Sequence, residues 1–104
     1  MRGEIWLVSL EPTQGSEIRK TRACVVISPG EMHDHLRTAI IAPMTTGSKP
    51  APYRIPVTSG GKKGLILLDQ IRTVDKARLL SKLGVLNAKT LSSTLETLQE
   101  VFSE

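Results

Sequence analysis

Short apolar runs separated by polar turns make up the first 86 residues of the chain. Runs that alternate apolar and polar residues, or that are rich in β-branched residues, are typical of strands. They predict six strands, at residues 4–10, 22–28, 38–44, 53–57, 65–68 and 82–86. The fifth run continues into residues 69–73, and a short helical turn is expected near residues 75–78. Pro43, close to the end of the third strand, predicts a sheet edge or a break in the ladder of hydrogen bonds.

The period of the apolar positions changes near the end of the chain. Leu91, Leu95, Leu98 and Phe102 are spaced four, three and four residues apart, which is the stripe of an amphipathic helix. Asn87 is well placed to cap the N-terminus of this helix. Short strands followed by one helix indicate a β-rich α+β domain. A small, strongly curled barrel is favoured, because closure removes exposed sheet edges.

Length and composition indicate one ordered domain over residues 1–104. Of the 104 residues, 39% are hydrophobic and 23% are charged, so the chain can form a small core. No signal peptide is expected, because residues 1–6 turn acidic and amphipathic at once, and no apolar run is long enough to span a membrane. The single cysteine, Cys24, excludes an internal disulfide and a Cys-based zinc site, and we interpret it as a buried, inert thiol. A reducing cytoplasm is the expected location.

The charge is unevenly distributed along the chain. The first 89 residues hold all 14 basic residues, whereas residues 90–104 hold three acidic residues and no Lys or Arg. A basic body suits a polyanion or an acidic partner protein. The alternative interpretation is a soluble protein whose basic charge has no role in its function.

Polar residues that are capable of catalysis lie at the ends of three predicted strands. Residues 15–22 hold three cations and Glu17, residues 44–49 hold two threonines and a glycine, and residues 69–75 hold two carboxylates, Gln70 and an arginine. An arginine at the start of a buried strand can present its guanidinium to a phosphate, and hydroxyls beside a glycine can hold a phosphate oxygen. Taken one at a time, each segment is also consistent with a solvated loop or a surface ion pair.

Metal and cofactor binding are not expected. His33 and His35 lie two residues apart in a polar stretch, and we interpret them as exposed loop histidines. Of the three aromatic residues, Trp6 and Phe102 fit the core, whereas Tyr53 follows a polar loop and is the better candidate for stacking on a base.

Five motifs occur in order over essentially the whole chain. They are Gly-Glu-Ile-Trp at residues 3–6, Pro-Thr-Gln-Gly-Ser-Glu at 12–17, Lys-Thr-Arg at 20–22, Ala-Pro-Met-Thr-Thr at 42–46 and Leu-Asp-Gln-Ile-Arg-Thr at 68–73. In this set the sequence resembles the MazF/PemK family of toxin endoribonucleases.

The resemblance implies a small SH3-like (CcdB/MazF-type) barrel of five to seven strands with a C-terminal helix, present as a homodimer. It also implies the toxin of a toxin–antitoxin system. Such a toxin cleaves single-stranded RNA at specific sequences without a metal or cofactor, through a cyclic phosphate, and a MazE-like antitoxin with an acidic tail inhibits it. A non-catalytic, CcdB-like toxin that binds DNA gyrase and a plain RNA-binding module are the alternatives.

The resemblance also assigns residues. The catalytic set is Arg22, Thr45, Glu17 and Asp69, and the division between general acid and general base stays open. Loop position and charge, beside the family motif that holds Gln70, indicate the residues expected to bind RNA, which are Gln70, Thr46, Lys49, Arg19, Lys20, Tyr53 and Arg72. Arg54, Lys62 and Lys63 are further candidates for contacts to the RNA backbone. Ala23 stands where the family usually has a proline, and Ser16 and Leu67 stand where some members have a histidine and an arginine.

Overall fold

The computed structural model describes residues 1–10 and 21–104, and most of its regular structure is antiparallel sheet. The elements are β1 (Glu4–Ser9), β2 (Thr21–Val26), α1 (Gly30–His35), β3 (Thr38–Thr45), β4 (Arg54–Ser59), β5 (Lys62–Leu67), β6 (Arg72–Asp75), β7 (Leu79–Val85) and α2 (Ala88–Val101). Two 3₁₀ turns, Leu68–Gln70 and Lys76–Arg78, flank β6. The seven strands curl into a half-barrel that carries a C-terminal helix, which confirms the predicted β-rich α+β class.

The sheet is organised around β3. Its strand order is β4-β5-β3-β2-β1-β7, and β6 pairs with β3 off this path. On one side β3 pairs with β2, and on the other side residues 38–41 pair with β6 while Met44 and Thr45 pair with β5. Pro43 lies between these last two ladders, where no partner on that side needs its missing N–H. The predicted break in the ladder at Pro43 is confirmed.

Both faces of the central strands are buried, which explains their uninterrupted β-branched runs. On one face, Ile5, Val25 and Ile66 belong to a core against which residues of α2 pack. On the other face, Val8 and Ile41 belong to a second core. Trp6 packs at the edge of this second core, and its indole N–H donates to Glu4 Oε1 at 3.0 Å.

Helix α2 begins as predicted and buries part of the predicted stripe. The Asn87 side-chain oxygen accepts from the Thr90 N–H at 2.8 Å, which confirms the predicted N-cap. Leu91 and Leu98 pack against the first core, and the residue of α2 that is fully buried is Thr94. Phe102 was expected in the core, and this expectation is wrong: its side chain is 72% exposed, because the helix ends at Val101 and the backbone of Phe102 is no longer helical.

The segment between β2 and β3 was expected to be a loop with exposed histidines, which is wrong for His33. The segment forms α1, and His33 Nε2 lies 2.6 Å from the hydroxyl oxygen of the buried Ser28. That hydroxyl oxygen also accepts from the Ile40 N–H at 3.0 Å, so α1 is tied to the start of β3.

The end of the predicted fifth strand divides into two elements. The 3₁₀ turn Leu68–Gln70 ends β5, and β6 then pairs with β3 instead of continuing the β5 ladder. The helical turn expected near residues 75–78 is present, and Asp75 caps it by accepting from the Ala77 N–H at 2.8 Å. Of the helices in the described ranges, none has the length and apolar character that crossing a lipid bilayer requires.

Candidate active site

A cleft of about 640 Å³ opens where the starts and ends of several strands meet. Its walls come from the start of β2, the end of β3, the β4–β5 hairpin and β7. The side chains with hydrogen-bonding or ionic capacity are Thr21, Arg22, Thr45, Thr46, Ser59 and Lys62. Arg22 and Thr45, which are 23 positions apart in the sequence, therefore share one cleft.

Arg22 is placed by the alternation of β2. Its strand neighbours Ala23 and Cys24 pack into the two cores, and Arg22 lies half-buried opposite Val8 of β1. The Cys24 thiol donates to the Arg22 carbonyl at 3.6 Å, and burial raises the pKa of Cys24 to about 12. A thiol with this pKa is protonated at neutral pH, so Cys24 is a core residue and not a nucleophile.

Thr45 is held by a close approach between β3 and β5. It ends β3 opposite Leu65, and its hydroxyl oxygen accepts from the Gly47 N–H at 3.3 Å. The hydroxyl can still donate its own hydrogen into the cleft. A Cβ added to Gly64 would lie 2.6 Å from the Thr45 carbonyl oxygen, so only glycine at position 64 permits this spacing of the backbones.

The β4–β5 hairpin adds a second cation to the cleft. Gly60 and Gly61 form its turn with φ values of +58° and +78°, a left-handed conformation that glycine adopts without strain. The turn brings Ser59 and Lys62 to the rim of the cleft. Arg22 and Lys62 together make the cleft attractive to an anion.

Asp69 forms an ion pair with Arg54 outside the cleft. Its two carboxylate oxygens accept from Arg54 Nε at 3.2 Å and from Arg54 Nη2 at 3.1 Å. This pairing holds the pKa of Asp69 below its ordinary value. Asp69 is not among the residues that line the cleft, and its lone pairs are engaged by Arg54.

Arg54 connects three parts of the surface. Besides the pair with Asp69, its Nη1 donates to the Lys49 carbonyl at 3.1 Å, and its guanidinium lies 5.8 Å from the centre of the Tyr53 ring. It therefore fixes the loop after Thr45 to the end of β5. The Tyr53 side chain remains 41% exposed beside this contact.

The structure separates the remaining predicted residues. Thr46 lines the cleft, whereas Gln70 and Arg72 are exposed on the 3₁₀ turn and on β6, outside its lining. Glu17, Arg19 and Lys20 lie outside the described residues. Sequence reasoning missed Ser59 and Leu83: the Gly60-Gly61 turn was a usable signal for Ser59, but Leu83 reaches the cleft through an irregularity of β7 that no local pattern marks.

Metal-ligating side chains do not cluster in the described part of the chain. Among residues 1–10 and 21–104, no three His, Cys, Asp or Glu side chains are grouped so that they could hold an ion.

Sequence comparison relates the chain to one family of toxins. The sequence profile of the PemK-like, MazF-like toxins of type II toxin–antitoxin systems matches residues 1–102. The chain is 37% identical over 83 residues to the Escherichia coli protein named endoribonuclease PemK, and the match covers 74% of this chain but only 62% of that protein, which is less than two thirds of its length. It is 38% identical over 92 residues to the Staphylococcus epidermidis protein named endoribonuclease MazF, with 83% of this chain and 77% of that protein covered.

Solved structures share the fold. The Mycobacterium tuberculosis toxin MazF-mt6 superimposes with a TM-score of 0.79 at 20% identity, and 95% of each chain is covered. A mycobacterial endoribonuclease solved in complex with its cognate antitoxin superimposes with a TM-score of 0.81 at 19% identity, covering 96% of this chain and 91% of that one.

Proposed function

Since the chain belongs to the family of PemK-like, MazF-like toxins of type II toxin–antitoxin systems, we propose that it is an endoribonuclease whose catalytic centre is the cleft of Arg22 and Thr45. The observation that carries this proposal is the convergence of a guanidinium and a hydroxyl in one basic cleft, at the ends of the neighbouring strands β2 and β3 just beyond their last paired residues, Cys24 and Pro43. A cleft of this composition suits the stabilisation of a phosphate that gains negative charge.

RNA supplies its own nucleophile, because the ribose hydroxyl beside each phosphate can attack the phosphorus. The enzyme must stabilise the more negative pentavalent state, remove the proton of the attacking hydroxyl and protonate the leaving oxygen. The Arg22 guanidinium faces the developing charge, while Thr45 donates its hydroxyl hydrogen to a phosphate oxygen. The products are a cyclic phosphate and a free hydroxyl on the downstream fragment, and no metal is required.

The position of Asp69 bears on the choice of base. A carboxylate that is engaged by Arg54 and has a lowered pKa is a weak base, and it lies outside the cleft lining. We therefore assign Asp69 a positioning role through Arg54 and leave proton removal to Glu17. Arg22 stabilises the charge on the leaving oxygen, which takes its proton from water.

RNA binding extends from the cleft along its basic rim. Lys62 and Thr46 contact the RNA next to the cleavage site, since both line the cleft. Lys49 and Tyr53 lie on the surface that Arg54 organises and bind the flanking strand, with Tyr53 stacking on a base. Gln70 and Arg72 add contacts outside the cleft, and Arg19 and Lys20 are further candidates for contacts to RNA.

The basic cleft also suits an acidic antitoxin. A MazE-like antitoxin with an acidic tail would neutralise Arg22 and Lys62 and exclude RNA from the same space. The toxin acts as a homodimer in the cytoplasm, where its RNA substrates are.

One incubation tests the activity. The purified protein is mixed with single-stranded RNA of varied sequence in excess EDTA, and the fragment ends are mapped. The expected result is cleavage at a short recurring sequence, with cyclic phosphate and hydroxyl ends. Absence of cleavage under all conditions would overturn the proposal in favour of a non-catalytic toxin of the gyrase-binding kind, and RNA that is bound but left whole would favour an RNA-binding module.

A further inference from the structure

A second cavity of about 570 Å³ lies directly beside the proposed catalytic cleft. The two cavities share Val57 and Gly64 as lining residues. The second cavity lies between the β4–β5 hairpin and the segment that links β7 to α2, and Ile5 and Leu86 contribute to its lining. The two cavities therefore adjoin at Val57 and Gly64.

The lining of the second cavity combines apolar walls with polar groups at its rim. Ile5, Val57 and Leu86 are apolar, whereas Lys63 and Thr90 add a cation and a hydroxyl. Apolar faces with a few placed polar groups are typical of small-ligand sites, and the volume is within the usual range for them. A flat base against the apolar wall, with its phosphate near Lys63, matches this composition.

The two neighbouring lysines of β5 relate the cavities to a polyanion. Lys62 lines the catalytic cleft, and Lys63, the next residue, lines the second cavity. Each cavity is thus provided with its own cation. A nucleic acid strand carries one phosphate per nucleotide, so nucleotides that occupy the two cavities each bring a phosphate for one of these lysines.

We propose that the second cavity binds the nucleotide that flanks the cleavage site, with the base on the Val57–Leu86 wall and the phosphate at Lys63. This inference rests on the proposed function and extends it by a subsite that contributes to affinity and to the choice of sequence. Charge alone would also suit an acidic peptide, but the apolar wall and the position beside the cleft favour the nucleotide.

Binding of uncleavable RNA tests the subsite separately from catalysis. The probes are 2′-O-methyl oligonucleotides of mixed sequence, about two to six nucleotides long, whose affinity is measured by fluorescence anisotropy at several salt concentrations. The variants are Lys63→Ala, which removes the cation, and Thr90→Leu, which fills the cavity without a change of charge. Lys89→Ala is the matched control, because Lys89 carries the same charge on α2 but lines neither cavity.

The longer probes are expected to bind Lys63→Ala and Thr90→Leu about fivefold or more weakly than the wild type, and the shortest probes equally well. In Lys63→Ala the slope of log affinity against log salt should fall by about 0.7 for the longer probes, which is the loss of one phosphate contact on a single strand. Lys89→Ala should change neither quantity.

Three results would overturn the subsite. The first is an equal loss of affinity in Lys63→Ala and Lys89→Ala, and the second is wild-type affinity for all probe lengths in both cavity variants. The third is a loss of affinity for polyglutamate, a model acidic peptide, with no loss of affinity for RNA. Failure of the wild type to cleave RNA would instead overturn the proposed function. The two failures are distinguishable, because the probes are not cleaved and report binding alone.

Discussion

At the scale of single residues, Arg22 and Asp69 show how surroundings assign roles to charged side chains at strand ends. Arg22 lines a cleft that Thr45 also lines, where a phosphate can approach it. Asp69 lies against Arg54, which engages both of its carboxylate oxygens. Arg22 is therefore placed to contact a phosphate, whereas Asp69 is placed to fix Arg54 on the surface.

Replacing Arg22 with alanine should abolish most of the cleavage and leave the fold intact. Loss of one group that stabilises the developing negative charge costs about a hundredfold to a thousandfold in rate. Single-turnover cleavage of a synthetic RNA measures the rate, and circular dichroism checks the fold. Arg37→Ala is the control, since Arg37 is an exposed arginine outside the cleft. Full activity of Arg22→Ala would remove Arg22 from the mechanism.

Replacing Asp69 with asparagine should affect acid stability more than catalysis. The lowered pKa means that the folded state binds this proton less readily than the unfolded state does. The ion pair therefore adds stability above the ordinary carboxyl pKa, and this stability is lost as the pH falls through the lower, folded-state pKa. Urea unfolding of the wild type and Asp69→Asn should differ at pH 6 and converge towards about pH 3.

The same variant also tests the assignment of Asp69. Its cleavage rate at neutral pH should fall far less than that of Arg22→Ala, because Asp69 does not line the cleft. A loss of rate as large as in Arg22→Ala, with a changed pH profile of cleavage, would identify Asp69 as the base and contradict the positioning role.

At the scale of secondary-structure elements, two tertiary contacts set the geometry around the site. The close approach of β5 to β3 at Gly64 fixes the end of β3, and the contact of α1 with Ser28 fixes its start. Thr45 is the last residue of β3, so its position depends on where that strand is held.

A methyl group at Gly64 should displace Thr45 and slow cleavage. The added Cβ would lie 2.6 Å from the Thr45 carbonyl oxygen, so one backbone must move. A displacement near 1 Å at a catalytic group costs up to about a hundredfold in rate. The measurement is kcat and KM for Gly64→Ala beside Gly84→Ala, a strand glycine at which an added Cβ would meet nothing within 4 Å.

The interpretation of the Gly64→Ala result depends on whether the substitution acts through Thr45. If Gly64 acts through Thr45, the substitution should lower kcat more than it raises KM, and it should cost little further rate in a Thr45→Ala background. Equal rates for the two glycine variants would show that the approach of β5 to β3 does not position Thr45.

The His33 contact should make α1 sensitive to acid. Burial is the main cause that lowers the pKa of His33, and the N-terminus, Lys76 and Arg2 act in the same direction, against Asp34. Nδ1 of His33 is buried without a hydrogen-bond partner among the described residues. As the pH falls, His33 is therefore protonated at a higher pH in the unfolded chain than in the folded chain. Stability falls as the pH drops below about 6.5.

His33→Gln tests this acid sensitivity, because glutamine can keep a hydrogen bond to Ser28 and does not titrate. The free energy of unfolding of the variant should change less between pH 7 and 5 than that of the wild type. A parallel pH dependence of both proteins would show that His33 does not carry the effect.

At the scale of the whole molecule, the open edge of the half-barrel presents apolar side chains. The register of β7 with β1 shifts twice, so Leu80 and Leu83 have no partner residue in β1. Both side chains are 53% exposed, and Val85 is 61% exposed. Bulges make a sheet edge less able to pair with another strand, but exposed apolar residues along it are typical of an interface. We place the contact between the two subunits of the proposed homodimer around Leu80, which lines neither the cleft nor the second cavity.

Leu80→Glu should dissociate the homodimer. A charge in an apolar contact cannot be buried without a partner, so association becomes unfavourable. Light scattering after size exclusion should give the mass of one chain for this variant and of two chains for the wild type. Leu36→Glu, at a leucine that is 45% exposed and outside β7, should remain dimeric. A dimeric Leu80→Glu variant would locate the contact elsewhere.

The sequence by itself determined the type and order of most elements. Alternation and β-branched runs marked the strands, the spacing of Leu91 and Leu98 marked α2, and Asn87 marked its start, because local periodicity and capping depend on neighbours within a turn or a strand. The shared family motifs also paired Arg22 with Thr45 before any geometry was known.

Tertiary structure decided what each side chain meets. Asp69 pairs with Arg54, 15 residues away, β6 leaves β5 to join β3, and the shifts of β7 turn Leu83 into the cleft. These outcomes depend on which strands pair and in what register. A ladder between distant segments gains its free energy from burial on both faces at once, and no window of local sequence contains both partners.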